Sequence, residues 1–173
     1  MKNFLRFTTA ILVGMLIICV VSNGNAQDKK ITKKDVPAAV LKTFESAYPK
    51  AKVNNYATEI EKGETLYELE TAEGKIKRDL LYKADGTVVE IEESVAPDKL
   101  PDAVKKTLNA EFAKAKIEKS EKTTRGNEVT YELIIVAGNK KVEVVFSPEG
   151  KIVKKESVSG KKEKEEEEEK EEK

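Results

Sequence analysis

The residues with the most chemistry to offer are carboxylates set between apolar neighbours. Glu68 lies between Tyr67 and Leu69, Asp79 precedes Leu80, Glu132 lies between Tyr131 and Leu133, and Glu143 lies between Val142 and Val144. A tight hairpin could bring Glu68 near Asp79, and Glu132 near Glu143, across neighbouring strands. Paired carboxylates can divide acid and base roles, or hold a metal ion. The plainer reading is a solvated acidic surface among many lysines, and composition supports it. The 173 residues include no histidine and no tryptophan. The commonest general base, the usual transition-metal ligand and the bulkiest wall for a carboxyl pocket are therefore missing. No nucleophile elbow, phosphate-cradling loop or Cys/His metal spacing occurs. The reading is a non-enzyme with no catalytic residue, no cofactor and no metal site.

Tyr67 and Tyr131 could stack on a ligand. Their parity with Leu69 and Leu133 instead directs them toward a core, because alternate residues of a strand share a face.

The elements that must position these residues occur twice. Val36 to Val53, VPAAVLKTFESAYPKAKV, returns as LPDAVKKTLNAEFAKAKI, Leu100 to Ile117, 64 residues later. The same shift carries Tyr67-Glu68-Leu69 onto Tyr131-Glu132-Leu133 and Gly86 onto Gly150. Val36, Val40, Phe44 and Tyr48 recur every four residues, as do Leu100, Val104, Leu108 and Phe112. Each set makes one apolar face at helical period. Pro37 suits a first turn, where its missing N–H loses no partner, and Pro49 stops the first helix at Tyr48. Ala113 replaces that proline, so the second helix is expected to run on toward Lys116.

After each helix come short runs rich in β-branched and aromatic residues: 52–60, 64–71, 76–82 and 87–92 in the first copy. Gly63, Gly74 and Asp85-Gly86 separate them, which reads as hairpins. A lone helix of this length is marginal in water, so each stripe must lie on the sheet. The fold class is α+β: two tandem α-β-β-β-β repeats, residues 31–95 and 96–159. Their eight strands are expected to form one curved antiparallel sheet, or two adjoining ones, with both helices on one face. By parity the open face shows Leu66, Glu68 and Glu70, then Lys77, Asp79 and Leu81. From the second copy it shows Thr130, Glu132 and Ile134, then Lys141, Glu143 and Val145. Leu66, Leu81, Ile134 and Val145 are its apolar islands. Together with Glu68 and Glu132 they form the candidate partner-binding surface; contiguous apolar area would mark a docking site.

Residues 1–26 read as a secretory signal peptide. Lys2 and Arg6 precede the apolar run from Ala10 to Val21, and Gly24 and Ala26 stand at the −3 and −1 positions of a cleavage site. The run is short for a membrane span, so no span remains after cleavage following Ala26. The single cysteine, Cys19, lies inside it. Residues 160–173, mostly Glu and Lys, have nothing to bury and read as a disordered tail. Lys and Arg number 32 and Asp and Glu number 32. That balance, without a basic stripe, gives no electrostatic case for nucleic acid.

With both copies laid out, the pattern resembles the PepSY-like, β-lactamase-inhibitor-like domain family. The residues that carry it are Val36-Pro37 to Tyr48-Pro49, Tyr67-Glu68-Leu69 and Asp85-Gly86. The second set is Leu100-Pro101 to Phe112, Tyr131-Glu132-Leu133 and Glu149-Gly150. The resemblance covers about residues 31–158. It implies exported bacterial proteins with no catalytic set to carry over, each repeat being a helix followed by antiparallel strands. The family's name reflects a structural likeness to inhibitors that grip an enzyme with a concave sheet.

The expected function is a periplasmic or secreted binding module that contacts a protein or cell-envelope component through the open sheet face. An inhibitor or regulator of an exported hydrolase, a protease or a β-lactamase, is the alternative. A weakly divalent-cation-responsive envelope protein is the second.

Overall fold

A computed structural model describes residues 29–138 and 140–158. The signal-peptide and tail readings lie outside these residues. The described residues form nine strands and two helices in the order β1 (Lys29–Lys30), α1 (Ala38–Ala47), β2 (Lys52–Glu61), β3 (Glu64–Glu73), β4 (Ile76–Tyr82), β5 (Val88–Ser94), α2 (Asp102–Glu111), β6 (Lys116–Arg125), β7 (Glu128–Ala137), β8 (Lys140–Phe146) and β9 (Ile152–Ser157). Short 3-10 turns, Lys33–Asp35 and Pro97–Lys99, lead into the helices.

All nine strands belong to one open antiparallel sheet in sequential order. The two copies join where β5 pairs with β6, from Glu90 opposite Arg125 to Ser94 opposite Glu121. This excludes two separate sheets. The ninth strand, β1, was not expected; its two residues pair with Thr58 and Ala57 at the sheet edge.

Each helix stripe builds its own cluster. Val36, Val40 and Phe44 pack with Leu69, Leu80 and Tyr82, and Tyr48, Tyr56 and Tyr67 close around them. Leu100, Val104 and Leu108 pack with Leu133, Ile135, Val144 and Phe146, with Phe112 and Tyr131 beside them. Each large apolar side chain so buried is worth ~1.5–3 kcal/mol, enough to hold a three-turn helix that could not persist alone. The repeat-equivalent tyrosines, Tyr67 and Tyr131, thus pack with the clusters rather than offering a ligand platform.

The second helix does not run on toward Lys116. It ends at Glu111, and the Phe112 N–H donates to the Leu108 carbonyl as the Tyr48 N–H does to that of Phe44. The two helices have equal length although only the first is followed by proline. What ends them is the need of Tyr48 and Phe112 to turn back onto the cluster. A cation covers each ring: the Arg78 guanidinium lies 4.9 Å from the Tyr48 centroid, and the Lys155 ammonium 4.7 Å from that of Phe112.

The sheet curls. Glu61 ends β2 and Arg125 ends β6, four strands away, about 19 Å across a flat sheet. Yet Arg125 Nη1 lies 3.0 Å and 2.9 Å from the two carboxylate oxygens of Glu61, while Arg125 Nε donates to Glu90 at 2.6 Å. Glu61 shares parity with Ala57, and Arg125 stands opposite Glu90. The face carrying these residues is therefore the concave one. The β2–β3 and β6–β7 strands, ten residues each, overhang the seven-residue β4–β5 pair and lean together over it.

Glycine is required where the sheet touches the helices. Gly150 has φ +80°, and a Cβ there would lie 2.3 Å from the Ala103 carbonyl oxygen; Gly86, its equivalent, has φ +86° and 2.8 Å to that of Ala39. Thr107 Oγ1 also donates to the Gly150 carbonyl at 2.8 Å. Gly74 has φ +61° but open space around it. Gly150→Ala should cost about 2–4 kcal/mol, combining backbone strain and overpacking. Gly74→Ala should cost only about 1–2 kcal/mol, from backbone strain alone. Urea unfolding of both variants measures the difference, and equal losses would contradict this packing.

Candidate functional site

The sequence places six residues on the open face, and the structure sorts them into two groups. Glu68 stands directly opposite Leu81 across β3–β4, with Leu66 on the same side of β3. Glu132 stands opposite Val145 across β7–β8, with Ile134 one alternation along. Strands β5 and β6 lie between the groups, so the six do not form one patch.

Leu66 and Leu81 are not exposed islands. They are 2% and 7% exposed, and Ala57 beside them 3%. None of the three belongs to a helix-packed cluster. They lie at the end of the concave face overhung by the leaning hairpins. Parity assigns a side chain to a face but does not see curvature, which is why alternation alone left them open. Ile134 and Val145 remain half-buried.

The expected carboxylate pairs also differ. The hairpin register sets Glu73 opposite Ile76, so Asp79 faces Glu70 rather than Glu68. In the second copy Glu143 faces Ile134. What the register assembles instead is a longer acidic band. Glu70 faces Asp79, and Asp79 faces Glu92 in turn. At the junction of the copies Glu92 faces Thr123, and beyond it, within the second copy, Glu121 faces Glu132.

Glu92 and Glu121 were not foreseen. The alternation Glu90-Ile91-Glu92 was legible and could have placed Glu92. Strand β6, KIEKSEKTTR, has almost no apolar alternation, and an irregularity between Ile117 and Lys119 shifts its phase. Glu121 could not be read from the sequence.

The band is crowded and partly desolvated. Glu121 is 8% exposed, and the Lys119 ammonium lies 2.6 Å from its carboxylate. Among the described residues no ion pair or hydrogen bond reaches the carboxylates of Asp79, Glu92 or Glu132. Burial raises the Asp79 carboxyl, helped by Glu70 and Glu121. Burial also raises Glu132, with Glu143 adding to it. The largest rise is at Glu92, pushed up to about 7 by burial and then by Glu121, Glu90 and Glu132. A carboxyl of this kind can exchange protons near neutrality, and the residue opposite it on β6 is Thr123. Among the described residues no group of three or more acids is placed to hold a metal ion, and no helix is long and apolar enough to cross a membrane.

Fold, repeats and family coincide. The sequence profile of the family described as "Putative beta-lactamase-inhibitor-like, PepSY-like" matches residues 23–90 and again 77–154. This chain belongs to that family. No curated protein matches it in sequence. Among solved structures it resembles a "putative periplasmic" protein from Bacteroides eggerthii at 17% identity and TM-score 0.62, covering 72% of this chain and 90% of that one. A DUF2874 family protein from Bacteroides uniformis gives 17%, 0.62, 73% and 92%. A BLIP-like protein from Bacteroides fragilis gives 19%, 0.58, 72% and 88%. At these identities the likeness is one of fold.

The Glu92 carboxyl carries a pH signature. Its folded value lies above the unfolded one, so the folded state holds the extra proton between pH 4.5 and about 7. The linked penalty is absent below about 4.5, grows through that window and is complete above it. Glu92→Gln should therefore leave stability unchanged at pH 4 and raise it by about 1–3 kcal/mol at pH 8. Chemical denaturation at the two pH values tests this, and an equal effect at both would refute it.

Proposed function

We propose that both helices back one face of the curved sheet and that its concave reverse face is a non-catalytic binding surface for a protein or envelope partner. The observation that carries this reading is the acidic band from Glu70 to Glu132. Asp79, Glu92 and Glu132 are held on one face against like charges, although like charges directly opposite destabilise a sheet. A surface kept at a cost to stability is where function is expected. Ile134 and Val145 supply apolar contact beside the band. The periplasmic description of the Bacteroides eggerthii relative, together with the signal-peptide reading of residues 1–26, favours an exported location.

An inhibitor or regulator of an exported hydrolase is a second reading, drawn from the family description and the BLIP-like fold relative. A surface without tryptophan gives it little to anchor with, since binding hot spots favour Trp, Tyr and Arg.

The test uses residues 27–160 on a support, with and without Ile134→Glu plus Val145→Glu. Leu66→Glu is unsuited, because it would bury a charge. From periplasmic extract the parent should retain a partner that the double variant loses by tenfold or more, with both melting alike. Equal retention would refute the use of this face. If the partner is a hydrolase, equimolar protein should lower its activity; unchanged activity would leave binding without inhibition.

A further inference from the structure

The charge pattern on the concave face narrows the chemistry of its partner. Elsewhere on the sheet many acids are matched with cations. Arg78 bonds Glu93, Arg125 bonds Glu90 and Glu61, Lys154 bonds Glu143, Lys141 bonds Glu118 and Lys83 bonds Glu64. The central band is the exception. Glu70, Asp79 and Glu92 follow one another in direct register over three strands, and Glu121 faces Glu132 on the next two. Lys119 enters the band and is already paired with Glu121.

The layout of the band argues against a point cation. Direct neighbours stand one strand apart, roughly 4.8 Å; at the β5–β6 junction, where Glu92 faces Thr123 and Glu121 faces Ser94, the row steps by two residues and then continues across the strands. Among the described residues none are gathered for chelation. A line of charge with the half-buried Ile134 and Val145 at its side fits an elongated ligand with repeated cations and an aliphatic end. Resting on the reading that this face binds, we infer that its occupant is a basic polypeptide segment, Lys- or Arg-bearing with an adjoining aliphatic residue, laid across strands β3 to β8.

Affinity should then depend on salt and on pH. The ionised band binds the cations, so affinity should rise between pH 5.5 and 8. The groups that face the titrating carboxyls set this window. They are Glu70, Glu121, Lys119 and Lys77 around Asp79; Glu90, Glu121, Glu132 and Lys119 around Glu92; and Glu143, Glu121, Lys119 and Lys154 around Glu132. Long-range attraction also weakens as salt shortens the screening length.

The experiment uses residues 27–173, which keep all nine strands, both helices and both apolar clusters. The probe is a labelled peptide in which three lysines alternate with serines and two leucines follow. Controls replace every lysine by glutamate, or both leucines by serine. Fluorescence anisotropy should show the lysine peptide binding at least tenfold tighter than the glutamate peptide. Raising salt from 0.05 to 0.5 M should weaken it about tenfold. At pH 8 Glu92→Gln with Glu132→Gln should weaken it tenfold without lowering the melting temperature, with Asp79→Asn as a second, independent variant. Losing the leucines should cost several-fold in the parent and nothing in an Ile134→Ser, Val145→Ser variant. Equal binding of the two charge types, or indifference to the carboxylate variants, would overturn the proposal. So would full displacement by spermidine or calcium at the peptide's own concentration, which would make the band a small-cation surface. If peptides fail while the Ile134→Glu, Val145→Glu variant still loses its extracted partner, the binding face stands and its assignment to basic segments falls.

Discussion

Everything in this fold depends on covering two short apolar helix stripes. Val40 and Phe44 in one copy, and Val104 and Leu108 in the other, lie on helices of ten residues that would not persist in water. Each needs a wall, and alternate residues of four antiparallel strands supply it: Leu69 and Leu80 for the first, Leu133 and Val144 for the second. Once one set of alternate residues is committed to that wall, the other set is committed to the reverse face. The acidic band is therefore a consequence of the same alternation that makes the core. The glycines at 86 and 150 let the β4–β5 and β8–β9 turns come up against the first turns of the helices.

The two copies share geometry but have diverged in charge. Glu61 and Arg125 are equivalent positions 64 residues apart, and their opposite charges meet. A duplication with identical side chains at these sites would have set like charges together and pushed the hairpins apart. Arg78, buried against Tyr48 with Glu93 and Glu73, is replaced in the second copy by Val142. There Lys155 of β9 takes over the ring of Phe112. In both places a cation from the sheet covers the aromatic residue that ends the helix.

The concave face is the part of the molecule where local consistency fails. Ion pairs tie β3 to β4, β4 to β5, β5 to β6 and β8 to β9, yet the middle of this face repeats acid against acid. Half-burial makes that arrangement costlier, because low local dielectric strengthens repulsion as well as attraction. The Glu92 carboxyl is pushed up to about 7 by burial first and by its acidic neighbours second. In the binding role proposed for this face, the charges that would attract a cation also reject anions.

The sequence by itself determined the duplication, the class of fold, the helix stripes and most strands, because each depends on periodicities of two and about four that sit within a few residues. The 76–82 strand was read to the residue, and the Tyr-Glu-Leu motifs put their tyrosines and leucines with the core. Only the tertiary structure decided the register, the curl and hence the site. A shift of register changes which acids face one another without altering any local pattern, so Glu70 rather than Glu68 met Asp79. The phase of β6 was hidden by its irregularity, and with it Glu121. Curvature arises from contacts four strands apart, such as Glu61 with Arg125, and that is what removed Leu66 and Leu81 from the accessible face. Distance along the chain leaves no trace of such contacts in any window a periodicity can scan.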